Sequence, residues 1–162
     1  MTITIRAVAA GDRDRLVDLF QQLNVHEDAV AGDRRVDRTA AEESLAFVEQ
    51  RLAERGGVFL VAEADEEVVG LMVLVFDTDS IYIRENRRAF AYLQDLVVDA
   101  GHRRHGIGRL LMDAAEKAAA AAGYRRMVLG VLAGNEVALA AYARQGFRPY
   151  AHDLEKIITA ED

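Results

Sequence analysis

The chain has 162 residues, of which 51% are hydrophobic and 29% charged, and carries a formal charge of −7. That length suits one ordinary domain, and the acidic balance argues against a general nucleic-acid binder, whose affinity rests on neutralising phosphates. Cysteine is absent, which excludes disulfides, thiolate metal sites and cysteine nucleophiles.

No apolar run reaches the ~18–20 residues of a membrane span, and the amino terminus lacks the basic-then-apolar order of a signal peptide. A cytoplasmic protein with no membrane partner is therefore expected. His26, His102, His105 and His152 show neither HxxxH nor HExxH spacing, so no metal is expected.

In chain order, Ile3 to Val8 mixes β-branched and polar residues and predicts a strand that ends at Gly11-Asp12. Leu16, Leu19, Phe20 and Leu23 recur at helical spacing and predict an amphipathic helix over 12–23. His26 to Arg38 is polar and is expected as a loop. Thr39 is the expected N-cap of a second helix that buries Leu45, Val48 and Leu52 and stops at Gly56-Gly57.

Val58 to Ala64 and Val68 to Phe76 are apolar runs separated by Asp65-Glu66-Glu67, which predicts a hairpin. Asp77 to Arg88 has no clear period and is expected as a surface loop. A strand over Ala91 to Val98 precedes a helix over about 108–122, with Leu110, Leu111, Ala114, Ala118 and Ala121 on its stripe and Gly123 as its C′ residue. Met127 to Val131 reads as a short buried strand, and Asn135 as the cap of a further helix ending at Gly146. Phe147 to Ile158 is expected to form a last strand pair around His152-Asp153, with Pro149 at an edge or bulge. With no internal repeat and no linker, residues 1–162 are expected to form a single α/β domain.

The stretch HRRHGIGRLL, His102 to Leu111, gathers cations at a strand-to-helix turn. The first-turn amides of a helix have no intrahelical acceptors, and the helix dipole places partial positive charge there. Gly106 and Gly108 let a bulky anion approach the backbone, while Arg103, Arg104 and Arg109 add forked donors suited to phosphate oxygens. The combination predicts an anion cradle, most simply for a pyrophosphate. A Walker A loop fails because Arg109-Leu110 follows Gly108, and the dinucleotide fingerprint fails because Leu111 holds the third glycine position.

RRHGIG resembles the [QR]xxGx[GA] coenzyme-A loop of the GNAT superfamily of N-acetyltransferases. Leu93-Gln94-Asp95-Leu96-Val97-Val98 is similar to the strand pattern that precedes it, and Tyr142 to Phe147 repeats the family's YxxxGF. The resemblance covers about residues 91–150 in family order, and the strand–helix–helix–hairpin order of residues 3–76 also fits. It implies a GNAT-type fold: a central mixed, largely antiparallel sheet of six to seven strands flanked by about four helices. Strands 91–98 and 127–131 would be parallel, joined by a right-handed crossover, and splayed apart. Arg104 and His105 stand where many members have glycine and lysine, at variable positions of the motif.

The resemblance further implies acetyl-CoA as co-substrate. The amides of Arg104, His105, Gly106, Ile107, Gly108 and Arg109 would hold the pyrophosphate, with Arg103 beside them. The pantetheine arm would run along Leu96, Val97 and Val98. Asn135 and Tyr142 are seven residues apart, which brings them to nearly one helix face; if that face looks into the slot, Tyr142 can protonate the departing thiolate, and otherwise it fills the core. The expected activity is transfer of an acetyl group to a primary amine of a small molecule, such as an amino acid or polyamine, by direct attack. Asp95 is then either the base or a structural acceptor, because strand alternation puts Gln94 and Asp95 on opposite faces, and a water chain to a more distant carboxylate is the other route for the proton. The oxyanion would fall near the Val97 or Val98 amide.

Acceptor recognition is open at this level. His26, Glu27, Asp28, Asp77 and Asp79 could attract a cationic amine, while Arg84, Arg87 and Arg88 could hold an amino-acid carboxylate. Two other readings stand beside the small-molecule enzyme: a non-catalytic acyl-CoA-binding or regulatory module, and an acetyltransferase acting on a protein or aminoacyl-tRNA amine. The family often forms homodimers, although no stretch here specifies an interface.

Overall fold

The computed structural model describes residues 1–159. Five strands form one sheet in sequential order: β1 Ile3–Ala7, β2 Gly57–Ala64, β3 Glu67–Thr78, β4 Ala89–Val98 and β5 Met127–Leu129. β1 to β4 are antiparallel neighbours, and β5 lies parallel to β4. The helices are α1 Arg13–Ala31, α2 Arg38–Arg55, the single turn α3 Glu85–Arg88, α4 Ile107–Ala121 and α5 Glu136–Arg144. Among the described residues the sheet is mixed and largely antiparallel as expected, with five strands in place of six or seven.

Strand alternation splits the core between the two faces of the sheet. Leu71, Val73, Val75 and Val97 pack with Leu16, Leu19, Phe20, Leu45 and Val48 of α1 and α2. Met72, Leu74, Ala91 and Leu93 pack with Ile107, Leu111, Met112, Ala115 and Ala119 of α4. β3 is covered on both faces, which is why its sequence reads as an unbroken apolar run. Phe20 and Leu111 are almost completely buried, and each such side chain contributes roughly 1.5–3 kcal/mol.

Several boundaries differ from the sequence expectation, each for a local reason. α1 continues eight residues past Leu23 to Ala31, so His26 and Glu27 are helical. Gly32, at φ 74°, ends it and donates its amide to Asp28 O at 2.7 Å. Asp37, not Thr39, caps α2, since its carboxylate accepts from Ala40 N at 2.9 Å. The buried stripe of α4 follows i, i+4 steps through Ile107, Leu111, Ala115 and Ala119, and Leu110 is exposed. Gly123, at φ 90°, does follow the end of α4.

The β2–β3 hairpin closes through Asp65-Glu66, both in the left-handed region, as a two-residue turn requires. Phe147 to Ile158 forms no strand pair. β5 is only three residues long and offers a short edge, and Leu154, Ile157 and Ile158 stand exposed. Among the described residues no helix is long and apolar enough to cross a membrane.

Candidate active site

The site begins with an irregularity in β4. Val73 pairs with Asp95 and Leu74 with Leu93, so Gln94 is an extra residue without a partner on β3. Such a bulge bends the strand and suspends alternation at that point. The expectation that Gln94 and Asp95 face opposite ways is therefore corrected: both line the same two cavities.

β5 pairs with β4 only across Ala91–Met127, Tyr92–Val128 and Leu93–Leu129. Past the bulge the two strands separate around a cavity of about 650 Å³, lined on one side by Leu93 to Val98 and on the other by Leu129 to Leu132. Antiparallel ladders bond alternate residues, and Asp99 N donates to Val69 O at 2.9 Å. That phase turns Val97 toward β3 and leaves the amides of Leu96 and Val98 facing the gap. The Val98 carbonyl accepts from Arg103 Nε at 3.1 Å, from the same side.

At one end of the slot lies the glycine turn. α4 starts at Ile107 behind Gly106, which has φ 79° and gives the helix no side-chain cap. Among the described residues no backbone acceptor meets the amides of Ile107, Gly108 or Arg109; the first helical bond is Leu110 N to Gly106 O at 3.1 Å. A Cβ on Gly106 would meet nothing within 4 Å, and one on Gly108 would come no nearer than 3.9 Å, to Val98. The turn is thus an open, uncapped helix start, which fits a phosphate group. Arg103, Gly108 and Arg109 line the slot, whereas Arg104 and His105 do not. Arg104 sits at φ 65°, the backbone conformation that a glycine would take without cost.

The turn is tied down from beneath. Asp99 accepts from Arg15 Nη2 and Gln22 Nε2, each at 2.8 Å, from Gly101 N at 3.0 Å, and contacts His102 Nδ1 at 2.9 Å. Gln22 Oε1 accepts from Ala100 N at 3.0 Å. Burial opposes the charge on Asp99, but the bonds from Gln22, His102 and Arg15 outweigh it and hold the carboxyl well below the usual range. The sequence pattern drew attention to the cradle and missed this support, because Arg15 and Gln22 lie some eighty residues away.

α5 forms the far wall. Asn135 caps it by accepting from Ala138 N at 3.1 Å, and its amide nitrogen lies 3.5 Å from His26 Nε2. Tyr142 lines the slot with its ring edge-on to Phe147, centroids 5.8 Å apart. Burial, and then the nearby Glu27 charge, raise the Tyr142 phenol above its ordinary value, so it is protonated at neutral pH.

Asp95 stands where the slot meets a second cavity of about 500 Å³; Leu23, Glu27 and Gln94 are the other residues common to both. Among the described residues its Oδ2 is buried with no hydrogen-bond partner, as is Gln94 Oε1. Desolvation, reinforced by Glu27, lifts the Asp95 carboxyl to about 7. Asp77, Asp79 and Arg88, also proposed for recognition, are engaged elsewhere. Asp77 pairs with Arg51 and Arg55, Asp79 with Arg126, and Arg88 donates to Ile81 O and Ile83 O, each at 2.7 Å. Arg84, Arg87 and Arg88 line neither cavity. Glu27, placed in a loop by its polarity, is helical and lies between the cavities.

The slot thus lies between splayed parallel strands and ends at an uncapped helix start. The acetyltransferase (GNAT) family matches residues 20–147, and the chain belongs to that family of acyltransferases, which use acetyl-CoA as co-substrate. Over 113 residues, 70% of its length, the chain is 35% identical to N-acetyltransferase 8 of Homo sapiens, and it spans 48% of that relative. Among solved structures it resembles a Trypanosoma brucei acetyltransferase, with TM-score 0.69, 18% identity, and coverage of 97% of this chain and 100% of the other. A transcriptional regulator from Bacillus halodurans C-125 superposes with TM-score 0.75, 20% identity, and coverage of 97% and 100%. At those identities the structural likeness is one of fold.

Proposed function

We propose that the chain transfers an acetyl group from acetyl-CoA to a primary amine of a small molecule by direct attack. One observation carries this reading: a single slot joins an uncapped helix start, a protonated tyrosine and a buried carboxylate lifted to about 7. Acetyl-CoA supplies the thioester carbonyl and a thiolate leaving group.

The chain's own groups supply the rest. The amides of Ile107, Gly108 and Arg109, with Arg103, hold the pyrophosphate; the amides of Leu96 and Val98 face the slot, and Val98 is the donor suited to the oxyanion. An alkylammonium titrates near 10.4, and stripping its proton at pH 7 costs roughly 4–5 kcal/mol. Asp95, ionised above about 7, accepts that proton. The nitrogen lone pair then forms the C–N bond as the C–S bond breaks, and Tyr142 gives its proton to the sulfur. A second N–H proton is lost as the amide forms and restores Tyr142. The products are the amide, the coenzyme thiol and one released proton.

The test is a thermal-shift titration with acetyl-CoA on wild type and Gly108→Glu. The variant keeps a helix-compatible backbone and favours the helix N-terminus, but sets a carboxylate against the phosphates. A saturable rise in wild type, lost in a folded variant, supports the cradle; no rise at millimolar acetyl-CoA overturns it. Thiol release across an amine panel then separates an enzyme from a module that only binds acyl-CoA.

A further inference from the structure

The second cavity is built for something other than the coenzyme. Phe20, Leu23 and Val48 give it an apolar wall, Phe47 stands half-exposed beside it, and Ser44 belongs to its lining. Its carboxylates, Glu27, Asp33, Glu43 and Asp95, outnumber its cations, Arg34 and Arg35.

Both cations are already matched. Arg34 Nε donates to Glu27 at 2.8 Å and Nη1 pairs with Asp33; Arg35 bonds Glu43 at 2.6 Å and lies 3.7 Å from Asp37. An incoming carboxylate therefore finds no free guanidinium and would add a like charge beside Glu27 and Asp95. An ammonium finds the opposite: Asp95 Oδ2 and Gln94 Oε1, neither of which has a donor among the described residues. A buried acceptor without a donor is costly until one arrives.

Resting on the acetyltransferase reading, we propose that this second cavity receives the acceptor, a primary amine on an aromatic or alkyl body with no carboxylate beside the amine. The ammonium lies at the junction of the two cavities, against Asp95, Gln94 and Glu27, and the apolar body lies along Phe20, Val48 and Phe47. Specificity then has a repulsive half, the surplus of negative charge, as well as an attractive one.

The test compares phenethylamine, hexylamine, phenylalaninamide, phenylalanine and spermidine by thiol release, with kcat/KM referred to the concentration of the ammonium form. The expected result is acetylation of the first three, with phenylalanine lower than phenylalaninamide by about 10²-fold in kcat/KM. Ser44→Tyr, which intrudes on the cavity, should raise KM for phenethylamine tenfold or more while the acetyl-CoA thermal shift is unchanged. Glu27→Gln should do the same more weakly, without filling space.

Phenylalanine matching its amide, spermidine acetylated while the apolar amines are idle, or a folded Ser44→Tyr protein with unaltered amine KM would each overturn the proposal. So would an acetyl-CoA shift with no acetylation of any apolar amine, which leaves the coenzyme assignment standing. Failure of acetyl-CoA to bind would instead remove the parent reading, and this inference with it.

Discussion

Arg15 and Asp99 form an ion pair at 2.8 Å that fastens the first helix to the residue leading into the glycine turn. Gln22 doubles that link by bonding both Asp99 and Ala100 N. The helix bordering the second cavity and the turn beside the slot thus share one anchor, so a change at Asp99 should be felt at both.

Asp99→Asn should lower stability at pH 7 by on the order of 2–3 kcal/mol, since it weakens several charge-assisted bonds. The sign with pH follows from the depressed carboxyl. Ionisation stabilises the folded state above the ordinary carboxylate value near 3.8, and that contribution fades as the pH falls through the lower folded value. Melting temperatures of wild type and variant should therefore differ at pH 7 and converge below pH 4. A difference that persists unchanged at pH 2 would remove the electrostatic account.

Asp95 has the opposite sign. Its carboxyl rises from 3.8 to about 7, so its contribution to stability is full below pH 4 and is lost as the pH climbs through 7. Asp95→Asn should match wild type near pH 4 and exceed it at pH 8 by a few kcal/mol. In catalysis, a bound ammonium that gives its proton to ionised Asp95 should make kcat/KM climb with pH to about 7 and then level off, a break that the variant lacks. Urea unfolding across pH, with a pH–rate profile, checks both halves.

Tyr142→Phe should reduce kcat about 10²-fold, at the low end for a general acid, with acetyl-CoA affinity unchanged. The ring keeps its edge-on contact with Phe147, so folding should be unaffected. Equal losses of turnover and coenzyme binding would assign the residue to packing instead.

Arg104→Gly should leave stability unchanged or raise it by up to ~1 kcal/mol. Left-handed backbone costs a side-chain-bearing residue roughly 1–2 kcal/mol, and the added flexibility of glycine in the unfolded chain returns part of that. Denaturant midpoints decide it; a clear loss of stability would show that the Arg104 side chain makes a contribution its φ of 65° does not reveal.

Much of this architecture was legible in local chemistry. The Asp65-Glu66 turn, the Asn135 cap, the end of α4 before Gly123 and the glycine turn itself are each written within a few residues. Three features were not. The polar turn His26-Glu27-Asp28 read as a loop, because helix polarity that serves a cavity looks like helix polarity that serves solvent. The α4 stripe was misassigned because Leu110-Leu111, Ala114-Ala115 and Ala118-Ala119 are pairs of identical neighbours, and only the second of each pair is buried against the sheet. The pairing of Gln94 and Asp95 on one side depends on what β3 places opposite, which no pattern within β4 contains.

The bulge also says what kind of change this site tolerates. Substitution at Gln94 alters a side chain, but the ladder still counts one residue too many against Val73 and Leu74. Loss of that one residue would let β4 run on in step with β5 beyond Leu93 and Leu129, where pairing now stops. The strands would close like a seam, and the amides of Leu96 and Val98 would pass from open to protected in hydrogen exchange. The slot is in this sense a matter of arithmetic between neighbouring strands, more exposed to a deletion of three nucleotides than to most changes of a single base.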